Sequence, residues 1–213
     1  MPGDVKRRPY NATNRQATSR ETKRRIIAAA RQTIIERGYR GATVSTIADR
    51  ANVNVDTIYA LVGRKPVILR ELIEQAISGT DEPVVAEERD YVRAIRAEPD
   101  PRAKLAIYAK ATCAIQGRLA PLFLALRDAA STERDAAQVW HEISNRRAAN
   151  MRKLAIDIRE AGALRQDLTI AEAADVLWAT NSSELFVLMT DERGWSVDRY
   201  ERWLADTWER LLF

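Results

Sequence analysis

The sequence predicts an all-α protein, and three observations support this prediction. Only eight of the 213 residues are Gly and seven are Pro, while the helix-favouring residues Ala, Arg and Leu are abundant. Apolar residues recur at helical spacing along most of the chain. Capping boxes of the form Thr-x-x-Glu, at Thr18–Glu21 and Thr169–Glu172, precede two of these segments. A chain of this length can form one or two domains with a substantial core.

Charge divides the sequence into a basic N-terminal third and an acidic remainder. Residues 1–70 hold 15 Lys and Arg residues against five Asp and Glu residues, whereas the remaining 143 residues hold 19 against 25. A basic domain attached to an acidic body is typical of proteins that bind nucleic acid. Residues 1–17 are basic and poor in apolar side chains, which predicts a flexible arm. This arm is either a solvated tail or a segment that contacts DNA phosphates.

Residues 43–61 predict two short helices joined by a tight turn. Thr43 is a suitable N-cap for the first helix, and Asn54 for the second. Asn52 tolerates the left-handed conformation that ends a helix, and small Ala48 allows the two helices to cross closely. The apolar residues of both segments recur at helical spacing. This pattern predicts a helix-turn-helix, whose second helix lies in the major groove of DNA.

This unit and its flanks resemble the N-terminal domain of TetR-type transcriptional regulators. The resemblance rests, with matching spacing and no gaps, on Gly38-Tyr39-Arg40-Gly41-Ala42-Thr43-Val44, Ile47-Ala48, Ala51-Asn52-Val53-Asn54, Thr57-Ile58-Tyr59 and Lys65. It implies a three-helix DNA-binding head at residues 18–65 and a helical effector-binding and dimerisation body at residues 66–213. It also implies a homodimer that binds an inverted-repeat operator in double-stranded DNA, with its heads about 34 to 36 Å apart. Repression relieved by a small-molecule effector is the function that the resemblance suggests.

The expected DNA-binding residues lie on the two helices of this unit and at the start of the next helix. They are Thr43, Val44, Ser45, Asn54, Val55, Asp56, Thr57, Tyr59 and Lys65. Tyr59 and Lys65 look like the family's phosphate contacts, which position the head without specifying sequence. Asp56 departs from the small residue usual in the family, and it either accepts a hydrogen bond from a cytosine amino group or complements the helix dipole. Leu61 and Val62 stand where the family usually has aromatic residues.

These departures support one competing interpretation. A helical ligand-binding or scaffold protein whose head has lost DNA binding would tolerate Asp56 and the missing aromatic residues.

The body is expected to form long amphipathic helices separated by Gly, Pro and polar breaks. Helices are predicted near residues 67–77, 102–118, 133–160, 169–189 and 197–213, with a linker at 79–83. Pro121 is expected to interrupt the chain, because Pro removes a backbone donor. Residues 181–184 place four polar side chains in an otherwise apolar helix. They form either a solvent-facing turn or a polar contact in a ligand cavity or subunit interface.

Two sets of residues in the body have candidate binding roles. Aromatic and apolar residues with a few polar groups are typical of a ligand cavity, and the candidates are Tyr108, Cys113, Gln116, Phe123, Trp140, Met151, Trp178 and Asn181. Each of them alone is more often part of plain core packing. The last two helices carry enough large apolar surface for a dimer interface, with candidates Leu185, Met189, Tyr200, Trp203, Leu204, Trp208 and Leu211. Docking within the chain is the alternative, and the effector is expected to be apolar or aromatic.

The sequence has no set of residues typical of an enzyme, a cofactor site or a metal site. His141 is the only histidine and Cys113 the only cysteine, so neither a Ser-His-acid set nor metal-ligand spacing is present. A single cysteine excludes an internal disulfide and fits a reducing compartment. The N-terminus lacks the apolar segment of a secretory signal, and no run of about 18 apolar residues predicts a membrane span. A cytoplasmic protein is therefore expected.

Overall fold

The computed structural model describes residues 12–81 and 84–213, and all regular structure within these ranges is helical. The helices are α1 (Ala12–Gly41), α2 (Val44–Ala51), α3 (Val55–Leu61), α4 (Lys65–Ser78), α5 (Asp90–Ala97), α6 (Pro101–Ala130), α7 (Arg134–Glu160), α8 (Ile170–Thr180), α9 (Ser183–Val187) and α10 (Val197–Leu212). A 3-10 turn at Ala86–Glu88 precedes α5, and a π turn at Leu188–Glu192 follows α9. The predicted all-α fold class is confirmed.

The first helix begins earlier than its sequence suggested. Thr18 lies inside α1, where its carbonyl accepts a hydrogen bond from the Thr22 hydroxyl (2.9 Å), so the prediction that Thr18 caps the helix is wrong. A Thr-x-x-Glu pattern is also compatible with the interior of an exposed helix. Residues 12–17 of the predicted arm are therefore helical, and residues 1–11 lie outside the described residues. Gly38, the predicted helix end, has a φ of 68° and interrupts the regular helix conformation.

The segment between head and body contains one predicted helix and one that the sequence did not reveal. Pro66 lies in the first turn of α4, and Gly79, the first residue of the predicted linker, ends the helix in a left-handed conformation. The short helix α5 was not predicted, because its eight residues lie in an acidic segment that masks the apolar spacing of Tyr91, Val92 and Ile95. This omission matters, because α5 covers one side of the body.

Helix α6 continues through Pro121, so the predicted interruption is wrong. Pro121 is exposed, whereas Leu119, Leu122 and Phe123 are buried. A Pro inside a helix costs about 3 kcal/mol. Burial of each large apolar side chain contributes about 1.5–3 kcal/mol, so three of them outweigh that cost.

The apolar helix predicted over residues 169–189 is divided at Asn181. Asn181 is the C-cap of α8, and Ser182 caps α9 by accepting a hydrogen bond from the Leu185 N–H (3.2 Å). Asn181 and Ser183 are buried, with exposed fractions of 3% each. The interpretation of this segment as a solvent-facing turn is therefore wrong for Asn181 and Ser183, whereas Ser182 and Glu184 remain partly exposed.

The caps of α8 and α10 agree with the sequence. Thr169 and Glu172 form both hydrogen bonds of the capping box, at 3.2 and 2.8 Å. Ser196 caps α10 by accepting a hydrogen bond from the Arg199 N–H (3.2 Å). These local signals identified the starts of both helices.

Two apolar clusters hold the molecule together. The first, which we call the joint cluster, combines residues of α1–α4 with residues of the second half of α6 and of α7, among them Ile26, Ile34, Ile47, Ile58, Leu69, Ile73, Leu119, Leu122, Phe123, Leu126 and Val139. The second combines the first half of α6 with α7, α8, α9 and α10, among them Leu105, Tyr108, Met151, Leu177, Phe186, Tyr200, Leu204 and Trp208. The head is therefore packed onto the body through a continuous core.

Helix α10 docks within its own chain. Tyr200, Leu204 and Trp208 are completely buried, so the prediction that these three residues form a dimer surface is wrong. The Trp208 indole N–H donates to the Thr180 hydroxyl (2.6 Å), and the Tyr200 hydroxyl donates to the Thr180 carbonyl (3.2 Å). The alternative of intrachain docking accounts for most of the aromatic surface of α10.

A test of the turn between α2 and α3 concerns Asn52, which has φ 50° and ψ 55° and is the one non-glycine residue of positive φ in the described ranges. We expect Asn52→Ala to lower the free energy of unfolding by about 1 kcal/mol, because a left-handed conformation disfavours an ordinary Cβ. Asn52→Gly should stay within a few tenths of a kcal/mol of the native protein. Urea unfolding followed by circular dichroism measures both, and equal losses would contradict the role of backbone conformation.

Candidate DNA-binding surface and ligand cavity

Helices α2 and α3 form the helix-turn-helix, and polar residues set its local geometry. The Thr43 hydroxyl accepts a hydrogen bond from the Thr46 N–H (3.1 Å) and caps α2. Asn52 closes the turn, because its N–H donates to the Asp49 carbonyl (3.2 Å) in the left-handed conformation. Asn54 occupies the N-cap position of α3 without a side-chain capping bond. Its exposed amide is therefore not used to cap the helix.

The nine residues predicted to bind DNA fall into two groups by exposure. Those that are exposed are Thr43, Ser45, Asn54, Asp56 and Tyr59, and those that are partly buried are Val44, Val55, Thr57 and Lys65. Val44 and Val55 pack against the joint cluster, and Ile58 on the inner side of α3 is completely buried. The unit thus combines an apolar back with an exposed face, which is the form that a groove-binding helix requires.

Asp56 lies exposed in the first turn of α3. A carboxylate at this position complements the partial positive charge of the helix N-terminus. Its exposure also leaves the carboxylate accessible to a base edge, so both roles considered for Asp56 are compatible with the structure.

Lys65 is already engaged with an aromatic ring. Its ammonium lies 3.7 Å from the centroid of the Tyr39 ring. Burial lowers the pKa of Lys65, and the carboxylate of Glu133 acts in the opposite direction. Burial, followed by Glu133, raises the pKa of Tyr39 to about 12, so this ring stays neutral. A phosphate contact by Lys65 therefore has to coexist with this cation–π contact.

Some of the basic residues of α1 connect the head to the body. Lys23 forms an ion pair with Glu71 of α4 (2.9 Å). Arg31 donates to the carbonyl of Arg118 of α6 (3.2 Å). The positive charge counted in the sequence therefore overstates the charge that faces DNA.

The body contains a cavity of about 290 Å³, partly open to solvent, between α4, α5, α6, α7 and the junction of α8 with α9. Small-molecule sites typically measure about 300–1,000 Å³, so this cavity lies at the lower end of the range. Its apolar wall includes Ile77, Ile95, Ile115, Leu119, Phe123 and Leu154. Helix α5, which the sequence did not reveal, supplies one side of it.

The structure separates the eight residues predicted for a pocket. The cavity is lined by Tyr108, Gln116, Phe123, Met151 and Asn181. Cys113, Trp140 and Trp178 lie outside the lining, and the structure assigns them to packing instead. Cys113 belongs to the cluster around α10, Trp140 packs against the joint cluster, and Trp178 packs against the cluster around α10.

A hydrogen-bond network occupies the junction of α8 with α9. The Asn181 side-chain amide donates to the Tyr108 hydroxyl (2.6 Å), and the Gln116 amide donates to the Asn181 carbonyl (2.6 Å). The Ser183 hydroxyl donates to the Gln116 side-chain oxygen (2.8 Å). Burial raises the pKa of Tyr108, so its hydroxyl is neutral and able to donate. The network therefore presents fixed, uncharged polar groups at the cavity wall.

Arg147 adds a positive charge to this network. Its Nη1 donates to the Asn181 side-chain oxygen and to the Trp178 carbonyl (3.0 Å), and its guanidinium lies 4.4 Å from the centroid of the Trp178 ring. Its Nε is buried and has no hydrogen-bond partner. Burial is the main cause that lowers the pKa of Arg147, although a guanidinium remains a cation at physiological pH.

No carboxylate of residues 12–81 or 84–213 forms an ion pair with Arg147. The charge of Glu184 acts on Arg147 in the direction that raises its pKa, but Glu184 is paired with Arg127 (2.7 Å), and Asp157 of the cavity lining is paired with Lys104 (2.7 Å).

The arginines at this cavity are not among the residues predicted from the sequence. Arg89, whose side chain is 10% exposed, and Arg146 bind the two carboxylate oxygens of Glu74. A signal for Arg147 is present in the sequence, because it stands in the stripe of α7 that otherwise carries Ile143 and Met151 at spacings of four residues. A charged residue in an apolar stripe is unusual and indicates a specific interior contact.

Within the described ranges, no group of three or more His, Cys, Asp or Glu residues is placed to hold a metal ion. No helix in the same part of the chain is long and apolar enough to cross a membrane.

A helix-turn-helix with a buried back and an exposed polar face, packed on a helical body, is the architecture of helix-turn-helix DNA-binding proteins. Residues 26–61 match the family model described as bacterial regulatory proteins, tetR family. Residues 26–61 therefore carry the N-terminal domain of the tetR family, which confirms for this segment the resemblance found in the sequence.

Solved structures share this fold over nearly the whole chain. The transcriptional regulator FadR from Bacillus subtilis, in complex with stearoyl-CoA, is 21% identical, with a TM-score of 0.70 and coverage of 89% of this chain and 98% of that chain. The fatty acid degradation regulator FadR from Bacillus halodurans is 21% identical, with a TM-score of 0.68 and coverage of 88% and 94%. A transcriptional regulator from Saccharomonospora viridis, in complex with choline, is 20% identical, with a TM-score of 0.66 and coverage of 90% and 97%. A comparison with curated protein sequences found no match.

A prediction for Cys113 tests its placement outside the cavity. Burial, helped by the carboxylates of Glu201 and Asp198, raises the pKa of the Cys113 thiol to about 12. Because the thiolate is the reactive form, native protein at pH 8 should react with iodoacetamide at least about 100-fold more slowly than urea-unfolded protein. A raised thiol pKa also means that stability falls as pH increases from about 9 towards 12. Rapid alkylation of native protein, measured by mass spectrometry, would contradict this placement.

Proposed function

We propose that the protein is a homodimeric repressor that leaves its operator when a small molecule binds in the body cavity. The observation that carries this proposal is that α4 and α6 line the cavity and also pack against the head. Leu119 and Phe123 of α6 line the cavity and also belong to the joint cluster, which contains Ile47 and Ile58 of the helix-turn-helix. A ligand that moves α6 therefore moves the support of the DNA-binding face.

Hydrogen bonds reinforce this connection between α1, α4 and α6. The Arg118 side chain of α6 donates to the Ala76 carbonyl near the end of α4 (2.8 Å), and the Arg118 carbonyl accepts the bond from Arg31 of α1. Ile77, the residue after Ala76, lines the cavity. A shift at the cavity wall is thus transmitted to both helices that hold the head. Release of DNA further requires that the ligand bind one arrangement of the heads more tightly than the other.

The support for a homodimer comes from the apolar surface that remains after α10 has docked. Leu211 is 42% exposed and Leu188 is 44% exposed, and Met189, Leu185 and Trp203 are only partly buried. A second copy packed on this surface would cover these side chains and set the distance between the two heads. An inverted-repeat operator follows from such a two-fold arrangement.

The structural relatives support a small-molecule effector. One regulator of this fold is in complex with stearoyl-CoA and another with choline. These molecules differ in size and in the sign of their charge, so the fold alone does not name the effector. The side chains of this cavity have to supply that information.

The experiment that tests the proposed function is selection from a random double-stranded DNA pool at near-physiological salt. We expect enrichment of an inverted repeat, whose half-site spacing reports the distance between the heads. Salt-sensitive binding without enrichment would indicate a non-specific head or one that requires a ligand. Absence of binding would favour the competing interpretation, a helical ligand-binding protein whose head no longer binds DNA.

Variants of the head test the roles proposed for its side chains. Tyr59→Phe should weaken binding to all sequences by about tenfold, because one hydrogen bond to a charged phosphate is lost. Lys65→Ala should do the same and reduce the salt slope by about 1. Asp56→Asn should instead change the preferred bases if Asp56 reads cytosine. Lys110→Ala, an equal loss of charge at an exposed position of α6 in the body, is the control, and an equal effect of Lys65→Ala and Lys110→Ala would contradict the phosphate contact.

A variant of the exposed apolar surface tests the dimer. Leu211→Arg should shift the protein from dimer to monomer in sedimentation equilibrium, because it places an unpaired charge in an apolar interface. Val85→Arg makes a similar apolar-to-charged change at a position that is 61% exposed and lies outside the proposed interface, so it should leave the mass unchanged. A monomeric native protein, or a dimer unaffected by Leu211→Arg, would contradict this interface.

A further inference from the structure

We infer that the effector is an organic acid, with one anionic group that binds Arg147 and an apolar body that fills the remaining cavity. This inference rests on the proposed function, since it takes the cavity to be the effector site. It departs from the purely apolar or aromatic effector that the sequence suggested. The chemical class is an amphipathic carboxylic acid or a molecule with an equivalent acid group.

Arg147 lacks an ion-pair partner among the described residues. Charged groups in protein interiors are normally paired, because the loss of water must be compensated. Within the described residues Arg147 is held by the neutral acceptors of Asn181 and Trp178 and by the face of the Trp178 ring. A ligand carboxylate would supply the absent partner, and Arg is well suited to bind it.

Hydrogen-bond donors around Arg147 outnumber the strong acceptors available to them. The Tyr108 hydroxyl donates to the Met151 sulfur (3.3 Å), and the Asn181 amide also contacts this sulfur (3.1 Å). A thioether is a weak acceptor, so two buried donors are poorly satisfied. Tyr108, Asn181 and Arg147 all line the cavity, and an anionic oxygen placed among them would be a stronger acceptor than the sulfur.

The lining of the cavity carries more positive than negative side chains. Five cationic side chains line the cavity, namely Arg89, Arg96, Arg146, Arg147 and Lys153, against the two carboxylates Glu87 and Asp157. Asp157 is paired with Lys104, and Arg89 and Arg146 share the carboxylate of Glu74, so Arg96, Arg147 and Lys153 remain against Glu87. The acidic body therefore contains a cavity of positive potential, which attracts anions.

Arg147 is a better site for the acid group than the other cations. Arg89 and Arg146 already share Glu74, and Arg96 and Lys153 are exposed to water. Arg147 is partly buried, its Nε is buried without a hydrogen-bond partner, and no carboxylate of the described residues forms an ion pair with it. An acid bound at Arg147 places its apolar part against the isoleucine, leucine and phenylalanine side chains of the cavity wall. An acyl-CoA would instead rely on the exposed cations for its phosphates.

The test uses the full-length protein with decanoate and phenylacetate as acid probes, and decanol, methyl decanoate and decanoyl-CoA as comparison probes. Calorimetric titration and thermal unfolding measure binding. We expect at least one acid to bind and raise the melting temperature, and its neutral analogues to bind at least about tenfold more weakly. Acids that bind no better than their neutral analogues, or binding by decanoyl-CoA alone, would overturn the inference.

Variants of Arg147 separate the anion site from a structural role. Arg147→Gln should lower acid affinity at least about tenfold, whereas Arg96→Gln, the same change at an exposed lining cation, should lower it less than about threefold. Without ligand, Arg147→Gln should melt at the same temperature or higher, because an uncompensated charge has been removed; a purely structural role predicts a lower temperature. Arg147→Lys keeps the charge and should restore part of the affinity, which also provides a result if Arg147→Gln does not fold. Unchanged acid affinity in Arg147→Gln would overturn the inference.

The same variants distinguish failure of this inference from failure of the proposed function. Binding of an acid through Arg147 without any change in operator affinity would support the anion site and contradict release of DNA by a ligand. Release of the operator by a neutral probe, with no effect of Arg147→Gln, would support the proposed function and overturn the acid site.

Discussion

Helices α2 and α3 of the helix-turn-helix pack on α1, and α1 in turn packs on α4 and α6, which fixes the head on the body. Helices α2 and α3 have eight and seven residues, too few to be stable in isolation. Their positions are set by burial of Ile47 and Ile58 in a cluster that also contains Leu122 of α6. The orientation of the DNA-binding face is therefore a property of the body as much as of the head. This is why a cavity bounded by the same helices has a direct physical route to DNA affinity.

The break between α8 and α9 is the second determinant of the body. A break inside an apolar region exposes backbone groups that must be satisfied without water. Thr180 receives the hydrogen bonds of Tyr200 and Trp208, which dock α10, while Asn181 and Gln116 connect the other side of the break to the cavity. A single local irregularity thus links the cavity wall to the helix next to the proposed dimer surface. A ligand that draws on the hydrogen bonds of Asn181 acts on both.

The features that the sequence predicted are those encoded by neighbouring residues. The cap at Thr43, the left-handed Asn52 and the capping box at Thr169 each depend on a few consecutive positions, and the structure agrees with all three. Passage of α6 through Pro121 depends on what the opposite face of the helix buries, which no local pattern reports. The choice between intrachain and interchain burial for α10 is likewise non-local, because both surfaces have the same composition. Arg147 was missed for the same reason, because its importance depends on which carboxylates lie near it in the folded chain.

At both candidate sites the local charge is opposite in sign to the net charge of the surrounding domain. This restricts the mechanism by which a ligand could release DNA. The basic head presents the carboxylate of Asp56 on its reading helix, while part of its positive charge, as at Lys23, is paired with the body. The acidic body holds a cationic cavity around Arg147. DNA and an acidic effector would both be anions, yet the charge of the effector would be neutralised where it binds. Direct electrostatic repulsion between the two ligands is therefore too weak to release DNA, since salt screens charges separated by more than about 10 Å. Under the proposed mechanism, release would come from displacement of α4 and α6, and its extent would be limited by the difference in ligand affinity between the two arrangements of the heads.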